Sequence, residues 1–383
     1  MKACLIHEFP LQVDFQRLSV YQKLIEQYPN TKFCHLHGFL HQYIEGGIHP
    51  LRLLNMAWMF LKTPLMLLIS RPNWILCCTA PPGIQVWASL WGNLLKIPTV
   101  AWIYDYHPEI EVRALEKSTF LKPLAKWIRW LDHKSQQSLQ GVIVLDEAMA
   151  SLFRKVNPRA KVQIHPTWNQ YLDQKKSPEN KTTEGKITLS YAGNLGTKHP
   201  LHLLRKLLIT LSEKSPNKHI ALNVISSNEK VRERFREFGA NLKVNLQFHD
   251  RQDTLQELSE KLNQLETDYG IILMEEEAHG LLSPSKYSGY LYSGLPLLYC
   301  GPRQTNADAI CRKFDAGIAI TSTESTADME EIANSILSTA QRNQHKAAAR
   351  KAYQHYSSFD SCSFLSVLCS IIDPSSGAEA QKP

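Results

Sequence analysis

Residues 283–302 read Ser-Pro-Ser-Lys-Tyr-Ser-Gly-Tyr-Leu-Tyr-Ser-Gly-Leu-Pro-Leu-Leu-Tyr-Cys-Gly-Pro, and this order of residues sets the fold class. Ser283 stands where a helix cap belongs, Pro284 suits the first helical position, Lys286 adds positive charge, and Gly294 followed by Pro296 closes the helix. The N-terminus of such a helix offers free N–H groups and the positive end of a dipole, which favour an anion. Apolar runs at 268–274 and 297–300 flank it with the length and composition of buried parallel strands. A helix that opens at the carboxyl edge of a parallel sheet lies where open α/β sheets bind ligands.

Working outward, apolar runs alternate with helical patterns along most of the chain. Strands are expected at 3–7, 32–37, 74–79, 99–104 and 141–145, then at 187–192, 219–225, 242–248, 268–274, 297–300 and 317–320. That alternation predicts an α/β protein with parallel sheets covered on both faces. Between the two sets, Lys175, Lys176, Ser177, Pro178, Glu179 and Asn180 form a polar break. The expected plan is a first domain over 1–170, a linker over 171–185 and a second domain over 186–345. Helices at 346–372 and a disordered tail at 373–383 follow.

The 283–302 stretch resembles the donor-site motif of GT-B nucleotide-sugar glycosyltransferases, in particular the bacterial family 4-like enzymes that build polysaccharides and lipid-linked saccharides. Pro284, Ser285, Lys286, Tyr290, Leu291 and Gly294 match its fixed positions. The resemblance implies the GT-B architecture: two Rossmann-like, doubly wound domains facing a cleft, with the final helix crossing back onto the first. It also implies that Ser285 and Lys286 bind the donor diphosphate. The run Tyr191-Ala192-Gly193-Asn194-Leu195-Gly196-Thr197-Lys198 is similar to the turn that lies over that diphosphate in the same enzymes, which adds Gly193, Asn194, Gly196 and Lys198. Glu277, His279 and Gly280 fall near the residues that hold the donor's sugar and ribose. Two departures stand out: Gly289 replaces the usual ribose-gripping glutamate, and Asn194 replaces an arginine common among relatives.

In the first domain Ala80-Pro81-Pro82-Gly83 and Tyr104-Asp105-Tyr106-His107-Pro108-Glu109 follow neighbouring strands, so both loops should open at one sheet edge. The second resembles the acceptor-side segment of the same family. Asp105, His107 and Glu109 are therefore the candidate catalytic groups, offering carboxylates and an imidazole to a hydroxyl.

Composition bounds the setting. Residues 1–170 hold 18 Lys and Arg against 11 Asp and Glu, so the whole formal excess of +7 lies there, together with all eight tryptophans. Basic charge with interfacial aromatics points to an anionic membrane surface. Nucleic acid is not an expected partner, because no long Lys/Arg run or reading motif occurs. In 51–71, Arg52, Asn55 and Lys62 draw a polar stripe on an apolar helix, a pattern of a buried or interfacial helix rather than a span. In 121–134, Lys122, Lys126, Arg129 and His133 share one face opposite Leu121, Leu124, Ile128 and Leu131, with Trp127 and Trp130 between.

Eight scattered cysteines without a Cys-x-x-Cys pair, and a first strand too short for a secretory signal, lead to the expectation of a cytoplasmic protein, peripheral on the membrane's inner face. His35, His37 and His41 lack a matching ligand set, so no metal and no cofactor are expected. The function implied is transfer of a sugar from a nucleoside diphosphate sugar to a lipid-linked or other saccharide acceptor, with retention and without metal. A non-catalytic partner subunit and a sugar-nucleotide epimerase on the same fold are the alternatives.

Overall fold

The computed structural model describes residues 2–8, 15–39, 50–167, 184–194 and 201–372. They form two compact units. In the first, β1 (Lys2–Ile6), α1 (Phe15–Gln27), β2 (Lys32–Leu36), α2 (Pro50–Ser70), β3 (Trp74–Cys78) and α3 (Ile84–Leu94) come first. They are followed by β4 (Thr99–Trp102), α4 (Glu109–Leu115), α5 (Lys122–Gln137), β5 (Gly141–Val144), α6 (Glu147–Val156) and β6 (Lys161–Ile164). The strands make one parallel sheet in the order β2-β1-β3-β4-β5-β6. The edge strand β6 was not among the expected strands. It is four residues long and half-exposed, so it lacks the apolar run of a central strand.

In the second unit β7 (Lys186–Ala192), α7 (Leu201–Lys214), β8 (His219–Ile225), α8 (Glu229–Gly239), β9 (Asn245–His249), α9 (Leu255–Gln264) and β10 (Tyr269–Leu273) lead to α10 (Tyr287–Tyr292). β11 (Leu297–Cys300), α11 (Asn306–Phe314), β12 (Gly317–Ile320), α12 (Thr326–Leu337) and α13 (Thr339–Ser357) complete it. Its parallel sheet runs β12-β11-β10-β7-β8-β9. The direction of winding reverses between β1 and β3 in the first sheet and between β7 and β10 in the second. Ligands of doubly wound sheets bind at the carboxyl ends of the strands beside such reversals.

The second unit extends past the expected boundary at 345, through Ser358. A buried charge cluster explains why. Asp268, at the start of β10, takes Lys346 at 3.3 Å and Arg342 at 3.5 Å on one carboxylate oxygen, and its other oxygen accepts from the Thr188 amide at 3.0 Å. Asp268, Arg342 and Lys346 are all buried, so α13 is tied to the sheet by charges that lack water. The chain from 359 onward groups with the first unit, where α14 (Ser361–Ile372) packs on α1 and places Phe364 against Trp102. The linker expected at 171–185 lies outside the described residues except for Glu184 and Gly185, and so does the tail at 373–383.

Candidate functional site

Of the diphosphate-side candidates, Gly193, Asn194 and Lys286 meet at the carboxyl end of β7, beside the winding reversal. Gly193 follows the strand with φ +110°, and its amide donates to Ile225 O at 3.0 Å, which holds the turn against β8. The left-handed conformation suits glycine, and a Cβ there would sit 3.1 Å from Lys286 Cε. Lys286 reaches across from the start of α10. Its Nζ donates to the Tyr191 hydroxyl at 2.6 Å and to Asn194 O at 3.1 Å, and lies 4.1 Å from the Tyr191 ring centroid. Tyr191 in turn donates to Asn194 O at 2.7 Å. All of these partners are neutral, so among the described residues the half-buried ammonium is paired with no carboxylate. Desolvation pushes its pKa down to about 8 from the usual 10.5.

What places Lys286 is the next turn of chain. Tyr290, fully buried, lays its ring over Gly270, where any Cβ would stand 2.3 Å from the ring carbons. Its hydroxyl accepts from the Ala192 amide at 2.8 Å and lies within hydrogen-bonding reach of Ser190 O and Ile271 O. The Lys and Tyr four residues apart thus bolt α10 to the ends of β7 and β10. Gly294, at φ +70°, ends the helix as expected, its amide donating to Leu291 O.

The helix begins later than expected. Residues 283–286 are not helical, Lys286 is the cap position, and no side chain caps it. Pro284 disfavours a helical Ser283, and Gly280–Ser283 belong to the first unit, where Leu281 O accepts from the Tyr106 amide at 2.7 Å. With six residues, α10 is too short for its dipole to anchor an anion, so the positive character here rests on the lysine. Ser285 is exposed, and its carbonyl accepts from the Ser288 amide and hydroxyl. Gly289 turns toward Leu255 and Leu258 of α9, each 3.4 Å from where a Cβ would stand, so apolar side chains line its open side. Gly196 and Lys198 lie outside the described residues.

Glu277 is exposed on a single 3₁₀ turn, Glu276–Ala278, after β10. His279 closes that turn through its amide to Glu276 O, at 3.0 Å. Ser322 donates to Glu276 Oε1 at 3.1 Å, which ties this acidic triplet to the loop after β12. Gly280, at φ +73°, falls in the first unit, where a Cβ would press on Ala148 O at 3.1 Å. The three sugar-side candidates are therefore close in chain but divided between the two units.

In the first unit, Gln85 of α3 donates to His107 O, which joins the loops after β3 and β4. His107 Nδ1 lies 2.6 Å from Glu111 Oε1, a partner the sequence reading missed although it stands one helical turn later. Asp105 is exposed. Crowding pushes its carboxyl upward and His107 pulls it down. Glu109 is engaged by arginines: Arg129 spans both its oxygens at 3.0 Å, and Arg113 adds a contact at 3.1 Å. Those pairs fasten α5 to α4.

The sequence reading also missed the loop after β1, beside the first sheet's winding reversal. His7 and Glu8 are buried there, Arg52 lies 3.6 Å from Glu8, and burial pushes the Glu8 carboxyl up against the pull of Arg52. His7, Arg17, Cys78 and Trp102 line a hollow at this edge. Read along the chain, His7 and Glu8 only end an apolar run. Their position beside the reversal is visible only in the strand order. No cluster of three or more His, Cys, Asp or Glu side chains is arranged to hold a metal among the described residues.

Gly193→Ala is expected to destabilise the protein by about 1–2 kcal/mol and to push Lys286 off Asn194, because a side chain would enter left-handed backbone beside the lysine stem. Thermal melting against wild type checks it, and an unchanged midpoint would contradict the packing described.

No family model matches the chain, and no curated protein matches it in sequence. Solved structures do match in fold. WaaG, a glycosyltransferase involved in lipopolysaccharide biosynthesis, aligns over 97% of this chain and 100% of its own, with TM-score 0.59 and 15% identity. HepE of Anabaena, solved in complex with UDP, aligns over 100% of both chains with TM-score 0.59 and 11% identity. The GtfA/B complex aligns over 82% of this chain and 61% of the other, with TM-score 0.55 and 14% identity. Two six-stranded parallel sheets wound in opposite senses from a central reversal, together with these alignments, give this chain the GT-B fold.

Proposed function

We propose that this protein transfers a sugar from a nucleoside diphosphate sugar to a hydroxyl of a saccharide or lipid-linked saccharide acceptor. The observation that carries the reading is the Lys286 ammonium, half-buried beside the Gly193–Asn194 turn and met by hydroxyl, carbonyl and ring. A desolvated cation held by neutral groups gains most from an anionic ligand, and the departing diphosphate is the group whose charge grows as the sugar leaves. The structural neighbour HepE, solved with UDP, supports the same ligand class.

In this scheme Lys286 meets the phosphate charge without metal. His107 acts on the acceptor. Its Nδ1 proton is held by Glu111, which leaves Nε2 as the acceptor of a hydroxyl proton. His107→Ala should lower kcat for transfer by about a hundredfold at saturating donor, and Glu111→Gln by about tenfold, with nucleotide affinity unchanged. Equal kcat in folded variants would remove His107 from the reaction.

The reading is tested by screening nucleotide sugars for thermal stabilisation, then following the stabilising donor into product with candidate acceptors by mass spectrometry and NMR. A true donor at about 100 times its Kd adds about 2.7 kcal/mol of stability. The leucine-lined side of Gly289 favours one rival, a subunit that does not bind donor. Absence of stabilisation by every nucleotide sugar would support that rival and overturn the transferase.

A further inference from the structure

Helix α2 is built inside out. The face it turns to the protein carries Asn55, Met59, Thr63 and Leu67, two of them polar, while the face turned to water carries Leu51, Leu54, Trp58, Leu61, Leu65 and Leu68. Leu61 is 74% exposed and Ile69 71%. The inward polar groups are engaged: Asn55 Oδ1 accepts from the Phe39 amide at 2.7 Å, and Thr63 donates to Met59 O at 2.7 Å. The narrow polar stripe read from the sequence therefore splits, with Asn55 pointing into the fold. A soluble packing helix has the opposite pattern.

The same inversion recurs on α5. It buries Ala125, Asp132, Ser135 and Gln136, with Asp132 accepting from Tyr106 at 3.1 Å and from Gln136 at 2.7 Å. Outward it leaves Leu121, Leu124, Trp127 and Trp130 exposed, and Phe120 just before it is 95% exposed. Helix α3 packs between the two: Trp87 Nε1 donates to Phe60 O of α2 at 2.8 Å, and Ser89 donates to Ser135 O of α5 at 2.7 Å. Leu94, at the end of α3, is exposed as well. The three helices form one layer on the sheet face opposite α1 and α14, so their apolar outer surfaces run together.

The charges around this layer decide its partner. No acidic residue occurs on α2 or α3, and the one on α5, Asp132, is buried. Arg52, Lys62, Lys122, Lys126 and Lys134 supply basic charge along α2 and α5, with Lys62 Nζ 5.7 Å from the Trp58 ring centroid. The apolar strip on α2 is also wider than a coiled-coil seam, since Leu53 and Ile69 are exposed beside it and no opposed charges flank it. An apolar floor with tryptophans and with lysines along α2 and α5 fits the interface of an anionic bilayer.

We propose that α2, α3 and α5 form a bilayer-docking face, with α2 lying flat and sunk to the acyl boundary and the lysines on phospholipid headgroups. By length and composition α2 could span a membrane, but Met59 and Leu67 sit in the core of the first unit and Arg52 lies against Glu8. It therefore lies on the membrane rather than crossing it. The proposal rests on these three helices alone and is independent of the nucleotide-sugar reading.

The test is flotation of the full-length protein with phosphatidylcholine vesicles, with and without phosphatidylglycerol, at low and high salt. Binding is expected only with phosphatidylglycerol, weakening with salt. The double variant Leu61→Glu, Leu65→Glu should lose at least about tenfold in partition while keeping wild-type circular dichroism and melting. Trp127→Ala with Trp130→Ala gives the same test from α5 should the first variant fold poorly. Wild-type protein that stays with the aqueous phase, or binds neutral and anionic vesicles equally, would overturn the proposal. So would a dimer abolished by the glutamates in a protein that ignores vesicles.

Discussion

Lys286→Met is expected to weaken nucleotide binding at least about tenfold and at the same time make the protein more stable. The ammonium is held at a pKa of about 8 against the usual 10.5 because burial strips it of water. A tenfold change in proton affinity is worth about 1.4 kcal/mol, so carrying the charged form at neutral pH costs the fold up to about 3 kcal/mol. Methionine fills the same volume without the charge, and Tyr191 keeps its bond to Asn194 O.

The sign with pH is fixed by the direction in which burial moves the lysine. Below about pH 8 both folded and unfolded chains carry the proton and the penalty is fully present. Between about 8 and 10.5 the unfolded chain holds the proton and the folded one does not, so stability rises with pH. In Lys286→Met that rise disappears. A diphosphate reverses the preference, because it favours the charged lysine. Affinity for UDP or GDP should be flat between about pH 7 and 8, where the terminal phosphate is largely ionised, and then weaken by up to about tenfold for each further pH unit. At pH 7 the variant should bind at least about tenfold more weakly, and transfer should fall in proportion. Melting temperatures that drop in the variant, with affinity kept, would contradict both halves of this expectation.

The largest purely structural effect is expected from Asp268→Ala. Its carboxylate is the acidic partner of both Arg342 and Lys346, and all three are buried. Removing it leaves two positive charges in the interior and also frees the Thr188 amide. Breaking a buried pair from one side costs about 3–5 kcal/mol. For a unit of this size that lowers the melting point by roughly 6–20 °C. Burial already pulls the Lys346 pKa down against the pull of Asp268, so the variant should shed that proton at lower pH than wild type. A midpoint within about 1 °C of wild type would show that the cluster is not what ties α13 to β10.

Much of the fold is legible because both sheets are parallel and covered. Central strands such as Tyr269–Leu273 and Leu297–Cys300 are buried along their whole length, so they read as unbroken apolar runs. The edge strand Lys161–Ile164 breaks the rule and is missed. Gly294 is legible as the glycine that ends a helix just before Pro296, whereas Gly193, Lys286 and Tyr290 stand out through the resemblance of their segments to GT-B enzymes. What could not be read is anything set by distant partners. Pairing with Arg129 fastens Glu109 to α5, a partner twenty residues away that no local pattern reveals. His7 and Glu8 gain their position from the strand order alone. The inward polar faces of α2 and α5 likewise defeat periodicity, because a period fixes which residues share a face and not which way that face points.

The central claim is that a nucleoside diphosphate binds in the second unit against Lys286 and the Gly193–Asn194 turn. Titration calorimetry of UDP and GDP into wild type and Lys286→Met at pH 7 tests it most directly. Saturable binding of at least one nucleotide to wild type, lost or weakened at least about tenfold in the variant, is the predicted result. Equal binding by both proteins, or none by wild type at millimolar nucleotide, would contradict it.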